Sequence, residues 1–243
     1  MPRALRGPPT NQLLAALPKA EHKRLLPNLE PFRLVFGEMI YQPGDLIRYV
    51  YFPDSGIVSL LATVKGSGSL EVGIVGREGM VGMPVFMGVE TSRNCAVVQG
   101  AGSALRMKAN LFRKECDTCR ALPRLLRRYA YSLWTQLSQT AVCNRFHSID
   151  ARLARWLLMT RDRMGVDEFQ VTQEFLSDML GVRREGVNKA AGSLQRRQLV
   201  RYNRGTLTIL KRAALEAVAC KCYQIIKDEY NGFPGNTTAE NFK

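Results

Sequence analysis

From residue 32 to about 107, apolar positions come in short runs rich in Val, Ile, Tyr and Phe, over 34–41, 49–52, 56–64, 69–75 and 94–98. Turn-forming clusters separate them: Gln42-Pro43-Gly44-Asp45, Pro53-Asp54-Ser55-Gly56, Lys65-Gly66-Ser67-Gly68 and Gly76-Arg77-Glu78-Gly79. Strands recurring at roughly 8–12 residues with Gly/Pro punctuation predict an antiparallel sandwich or small barrel. From 109 to about 144 the period becomes helical. Leu126, Ala130, Leu133, Leu137 and Thr140 alternate steps of four and three, the seam of a coiled-coil-like contact. Arg120, Arg124, Arg127 and Arg128 decorate its beginning, and Pro123 falls in its first turn. Such a helix can cover the barrel, pair with its copy in a dimer, or do both.

From Ile149 onward the pattern is helical again, with Leu153, Trp156, Leu157 and Thr160 on one face. Thr172 is placed to cap a helix whose Phe175, Leu176, Met179 and Leu180 share a face. Gly181 supplies a tight turn and Val182 an apolar anchor. A second helix starts near Arg183, with Val187, Ala191 and Leu194 as its buried stripe and Arg184, Glu185, Asn188 and Lys189 on the opposite side. Two short helices joined by a Gly-containing turn, the second with a polar face of this kind, predict a helix-turn-helix. Two strands, 199–202 and 206–210, follow as a hairpin with Arg204 at its tip. The stretch from 231 to 243 is polar and expected to fray.

Length and charge sharpen this picture. The 243 residues allow one or two domains with a sizeable core and no disulfide staples. Lys and Arg total 35 against 21 Asp and Glu, a net charge of +14, which favours a polyanionic partner. No apolar run reaches the roughly 18 residues of a membrane span. Pro8, Pro9, Pro18, Lys19, Glu21 and Lys23 interrupt the Leu-rich beginning, so it fails as a signal-peptide core. The six Cys read as reduced thiols, and a cytoplasmic location follows. With no phosphate-cradling loop, no Ser/His/Asp set and only His22 and His147, enzymatic chemistry is not expected. A basic membrane-surface protein is disfavoured too, because the basic residues cluster on the second helix and hairpin.

That cluster suits nucleic acid. Arg184 can form two parallel hydrogen bonds to guanine, Glu185 can accept from cytosine N4, and Lys189 can reach another guanine one turn on. Asn188 shares their face. Thr172, Arg183, Arg196 and Arg204 are placed for phosphate contacts, which position without specifying, and Arg197, Arg201, Lys211 and Arg212 add to the basic surroundings.

The run from Thr172 to Lys189 resembles the winged helix-turn-helix of the Crp/Fnr regulators, bacterial transcription factors related to the cyclic-AMP receptor protein. Residues 149–158 resemble the helix that follows the family's dimer helix. Residues 32–107, with Tyr41-Gln42-Pro43-Gly44-Asp45, resemble its cyclic-nucleotide-type β-roll. The likeness runs in family order over residues 13–222. It implies an α+β chain: a β-roll (jelly roll) sensor domain over 13–118, a dimerisation helix over 119–145, a winged helix-turn-helix over 146–214, and a C-terminal helix and tail over 215–243. It further implies a homodimer on double-stranded DNA bearing an inverted repeat. Half-sites resembling TGTGA would lie about one helical turn, near 34 Å, apart. RNA polymerase would be a further partner. Lys189 stands where the cyclic-AMP receptor protein has Arg, a point charge in place of a planar fork, which softens discrimination there.

The resemblance fails at the effector pocket. Family members that bind cyclic nucleotides carry a Gly-Glu pair and an Arg about ten residues on. Here Gly82 and Arg93 keep the spacing, but Met83 replaces the Glu, and a thioether is only a weak acceptor. Leu137 lies where a hydroxyl would meet adenine, with Ser138 beside it. Gly82, Met83, Arg93, Asn94, Leu137 and Ser138 thus outline a candidate pocket, and cyclic AMP is not the expected signal. Met80, Met83, Met87 and Met107 read as core filling, leaving open an apolar effector or none. The alternative is a nucleotide- or small-ligand-sensing module whose DNA binding waits on an unidentified effector.

No cofactor and no metal are expected. Cys116-x-x-Cys119 and Cys220-x-Cys222 can in principle pool into a zinc site, but the second spacing is unusual and the pairs fall in different predicted domains. No Cys precedes Cys95, where iron–sulfur members carry a cluster.

Overall fold

The computed structural model describes residues 11–64 and 68–232; the Lys65-Gly66-Ser67 part of one predicted turn and the tail from 233 onward lie outside the described residues. Two short helices, α1 (Gln12–Ala15) and α2 (Lys19–Leu25), lead into seven strands: β1 (Glu30–Leu34), β2 (Met39–Tyr41), β3 (Tyr49–Pro53), β4 (Ile57–Val64), β5 (Gly68–Val75), β6 (Cys95–Gly100) and β7 (Gly102–Lys108). A one-turn helix, α3 (Met83–Phe86), interrupts the run before β6. The strands form two antiparallel sheets, ordered β1-β7-β3 and β2-β6-β4-β5. Leu34, Phe52, Ile57, Ile74, Val98 and Met107 belong to one core. This is the antiparallel two-sheet arrangement that the short apolar runs predict, and the β-roll that the resemblance implies.

Two details differ from the sequence reading. Residues 34–41 are not one strand: Gly37, at φ 80°, turns the chain so that β1 and β2 fall in different sheets. Strand β7 escaped the reading because Gly102 and Ala104 are weak strand formers, yet it is the centre of its sheet.

The helical stretch is also divided, into α4 (Ala109–Thr118) and α5 (Ala121–Phe146). The Glu21 carboxylate of α2 accepts hydrogen bonds from the backbone N–H groups of Arg120, Ala121 and Leu122 at 3.0–3.1 Å. A carboxylate at a helix N-terminus satisfies donors that the helix itself leaves open. Burial works to raise the Glu21 pKa, but these N–H groups outweigh it and the net shift is downward.

Within the chain, the stripe expected as a dimer seam on α5 packs on the β-roll. Leu126 and Leu133 lie in the chain's own core, with Ala130 and Leu137 packed against it. A stripe at this spacing looks the same whether it covers a barrel or a partner, and here it covers the barrel. Tyr129 packs against Gly79, where a Cβ would fall 2.2 Å from the ring. Gln136 accepts from Ile74 N (2.8 Å) and donates to Ile74 O (3.2 Å) and to the Tyr230 hydroxyl (2.8 Å), tying α5 to β5. The large apolar residues that α5 leaves exposed are Tyr131, Trp134, Val142 and Phe146.

Ser148 caps α6 (Ile149–Met164). Then come β8 (Glu168–Gln170), α7 (Gln173–Leu180), α8 (Arg184–Arg196), β9 (Val200–Asn203), β10 (Thr206–Ile209), α9 (Arg212–Val218) and α10 (Cys222–Asn231). The short β8, unforeseen in the sequence, completes an antiparallel sheet in the order β8-β10-β9. Helix α10 returns to α5, where Glu229 pairs with Arg128 at 2.6 Å. Between the β-roll and α6, Glu78 and Arg163 form a buried ion pair at 2.7 Å, and Gln99 donates to Thr160 at 3.0 Å. Among the described residues no helix is long and apolar enough to cross a membrane.

Candidate nucleic-acid interface

Helix α7 begins at Thr172, whose hydroxyl accepts from Phe175 N at 3.1 Å, and ends at Gly181 in the left-handed region (φ 59°). Only a residue without a Cβ fits there comfortably. A Cβ would also meet Leu70 of β5 at 2.7 Å, so the turn between α7 and α8 rests on the β-roll. Phe36 and Phe175, ring centroids 5.7 Å apart, add a second contact between the same regions.

Helix α8 buries Val187, Ala190, Ala191 and Leu194. Its other face carries Arg184, Glu185, Asn188 and Lys189, all exposed, and Arg183 is the N-cap residue. Thr172, Arg196 and Arg204 are exposed as well, so the structure leaves each of these eight side chains accessible. Arg184 is engaged by Glu174 of α7 at 2.5 Å; both are well exposed. The hairpin β9–β10 turns through Arg204 (φ 48°) and Gly205 (φ 80°), with Arg204 at its tip. A left-handed pair of this kind gives the twist a two-residue hairpin needs.

Residues 151–218 match the family described as the Crp-like helix-turn-helix domain. The C-terminal part of this chain is a Crp-like helix-turn-helix domain. The fold as a whole agrees with it. The chain resembles the structure of FixK2 from Bradyrhizobium japonicum (TM-score 0.68, 16% identity, 79% of this chain and 98% of that one). It also resembles a Crp-family transcriptional regulator from Thermus thermophilus (TM-score 0.63, 21% identity, 77% and 96%). A third likeness is to the c-di-GMP responsive global regulator of Xanthomonas campestris (TM-score 0.62, 18% identity, 79% and 99%). A comparison with curated protein sequences finds no match. The architecture is therefore that of Crp/Fnr transcriptional regulators: a cyclic-nucleotide-binding-like β-roll, a long helix and the Crp-like domain.

Away from the Crp-like domain, a cavity of about 140 Å³ lies between the β-roll and α5. Gly82, Met83, Asn94 and Leu137 line it together with Met80, Met87, Leu133 and Tyr41. Arg93 and Ser138, expected beside them, do not. Arg93 alternates outward between Ser92 and Asn94, and Ser138, one residue past Leu137, turns to solvent. No charged side chain lines the cavity. Its volume is well below the roughly 300–1,000 Å³ of ordinary small-molecule sites. Met80, Met83 and Met107 are core residues, whereas Met87 is largely exposed.

The cysteines are also arranged differently from the sequence reading. Cys220 and Cys222 are joined by Cys143 and His147, not by Cys116 and Cys119. The ligand-type atoms of this group all lie within 4.8 Å of one another. The CxC pair sits at the corner from α9 to α10, with Cys222 the first residue of α10, and its partners are one turn apart at the end of α5. The Cys-x-x-x-His spacing was present in the sequence, but only the return of α10 onto α5 connects it to Cys220.

Proposed function

We propose that the protein is a transcription regulator of the Crp/Fnr type that binds an inverted-repeat operator as a homodimer. The observation that carries this reading is the outer face of α8. Arg184, Glu185, Asn188 and Lys189 stand exposed over a buried Val187/Ala191/Leu194 stripe, in a domain that matches the Crp-like family. In this reading those four residues meet base edges, while Thr172, Arg183, Arg196 and Arg204 contact phosphates. The β-roll (13–118), long helix (119–145), reader domain (146–214) and C-terminal part (215–243) are its working parts.

The exposed face of α5 supports dimerisation. Trp134 is 69% exposed and Phe146 72%, on a helix whose opposite face is already buried. Covering such side chains with the same face of a second copy would remove them from water under two-fold symmetry. Cyclic AMP is not the signal in this reading. The cavity beside Met83 offers no cation to a cyclic phosphate and little room. Its apolar lining favours, as a second reading, a small apolar effector that must bind before the reader helices engage DNA.

Selection of sites from a random duplex library, without added ligand and at two salt concentrations, tests the proposal. The expected result is an inverted repeat that is no longer enriched when Arg184 and Glu185 are replaced by Ala. Each good bidentate base contact is worth about 1–3 kcal/mol of discrimination. Salt-sensitive binding with no sequence preference, unchanged by cell extract, would overturn it.

A further inference from the structure

We propose that Cys143, His147, Cys220 and Cys222 form a tetrahedral site for a soft divalent cation, zinc first. Cys143 and the helix-ending His147 come from consecutive turns of α5, and the His147 N–H donates to the Cys143 carbonyl at 3.2 Å. Cys220 and Cys222 come from the corner between α9 and α10. The three cysteines are buried, and His147 is half-buried. Cys143 Sγ lies 3.4 Å from Cys220 Sγ, and Cys222 Sγ lies 3.7 Å from His147 Nδ1. A tetrahedron with metal–sulfur bonds of about 2.3 Å has edges of roughly 3.8 Å, so the donors already stand close to the spacing one ion needs. Iron–sulfur clusters place their protein ligands on different iron atoms, too far apart for a group confined within 4.8 Å.

The surroundings carry a second, independent indication. Arg152 and Arg155 of α6 are both buried, and among the described residues neither forms a salt bridge, although the Glu71 carboxyl lies near enough to Arg155 to feel its charge. Each leaves its Nε without a hydrogen bond; their recorded bonds run from Arg152 to the Leu180 carbonyl and from Arg155 to the Thr140 hydroxyl (3.3 Å). Both guanidinium groups act electrostatically on the cluster: Arg152 on Cys143 and Cys220, Arg155 on all three cysteines. A divalent ion held by three thiolates and a neutral imidazole carries a net single negative charge. Buried cations without a salt bridge are costly, and such a complex adds a compensating negative charge beside them. On binding, the thiols release their protons to solvent and the metal takes their place.

A closed Cys₃His set is a structural arrangement, with no open position for a reacting molecule. The ion would clamp the end of α5 and the first residues after it to the α9–α10 corner. It would fix the joint at His147-Ser148 from which α6 and the reader domain extend. The consequence for DNA rests on the proposed regulator function, but the metal site itself does not.

The test uses the full chain, produced with zinc in the medium, purified without oxygen and analysed for metal. About one equivalent of zinc per chain is expected. Replacement by Co²⁺ should give the intense visible absorption of a tetrahedral cobalt–thiolate site. Cys220→Ser should weaken zinc binding by more than the roughly 10–100-fold typical of changes outside the ligand shell. Cys116→Ser with Cys119→Ser should leave it unchanged. Because a ligand variant can fail to fold, chelation of the unaltered protein provides a separate reading: zinc removal should expose three thiols that zinc then protects again. No metal in the purified chain and none taken up from added Zn²⁺ or Co²⁺ would overturn the site. So would a Cys143–Cys220 disulfide in the anaerobic protein, or full zinc retention by a folded C143S/C220S variant.

Discussion

Arg163 and the arginines of the reader face show two uses of one residue type. At the junction of the β-roll with α6, Arg163 is buried, held by Glu78 at 2.7 Å and set over the Tyr230 ring at 5.1 Å. Burial opposes its charge, but Glu78 outweighs that and the Arg163 pKa is raised. Around α8 and the hairpin, Arg183, Lys189, Arg196, Arg201 and Arg204 stand in solvent, and none has an ion pair among the described residues. The junction is electrostatically complete within the chain, whereas the reader face has the form of a surface whose counter-charges come from outside. The net charge of +14 is thus informative because of where it goes unanswered.

The largest effect should come from opening the junction. Glu78→Gln leaves Arg163 buried without its partner, and breaking a buried pair on one side costs about 3–5 kcal/mol. Denaturant unfolding should register this as a loss of stability. A loss under about 1 kcal/mol would mean that the junction is as weakly coupled as a surface pair.

A second buried acid makes the junction respond to pH. Glu71 is buried among β4, β5 and α6, and desolvation pushes its carboxyl up to about 7, despite the Ser59 hydrogen bond and the nearby Arg155 and Arg163. The Ser59 hydroxyl lies 2.7 Å from Glu71 and 2.6 Å from the Gln99 carbonyl oxygen, but it has one hydrogen to donate. A protonated Glu71 donates to Ser59, which frees that hydrogen for Gln99, whose amide continues to Thr160 of α6. Because the folded pKa exceeds the unfolded value of 4.5, the folded chain holds the extra proton between them. This contribution is therefore fully present below pH 4.5 and is lost as pH rises through about 7, a change of about 3 kcal/mol. Unfolding measured across that window should show the slope in the wild type and its absence in Glu71→Gln, with the variant the more stable at pH 8. A wild-type minus variant difference that is flat with pH would remove Glu71 from the account.

The reader face was legible in the sequence because its determinants are local. The Thr172 cap, the Gly181 turn and the Val187/Ala191/Leu194 stripe all lie within one short stretch, and each implies its structure by its own chemistry. The junction and the cysteine group were not legible in that way. Glu78 meets Arg163, and Cys143 meets Cys220, only after the chain has folded back across many elements. Local spacing favoured the familiar Cys116-x-x-Cys119 instead. The α5 stripe was read correctly as a buried face, but periodicity does not encode which surface buries it. Strand β7 was missed because Gly102 and Ala104 are weak strand formers, and its place between β1 and β3 is set by non-local pairing.

The smallest predicted effect tests the reader side of the comparison directly. Glu174 and Arg184 touch at 2.5 Å, with side-chain exposures of 71% and 56%. An exposed pair contributes about 0–1 kcal/mol to folding, because water and salt screen it and both side chains lose freedom in forming it. In the proposed DNA-bound state the same pair would compete with DNA for the Arg184 guanidinium, and the Glu174 carboxylate would also oppose an approaching phosphate backbone. Glu174→Gln keeps the shape and removes the charge. Stability should then change by less than about 1 kcal/mol, while specific duplex binding should tighten several-fold, most visibly at low salt where the repulsion is least screened. Paired measurements of unfolding and of duplex affinity separate the two roles. If the variant lost stability and gained no affinity, Glu174 would belong with Glu78 as a structural partner, and the contrast between a completed junction and an open reader face would fail at the residue expected to read guanine.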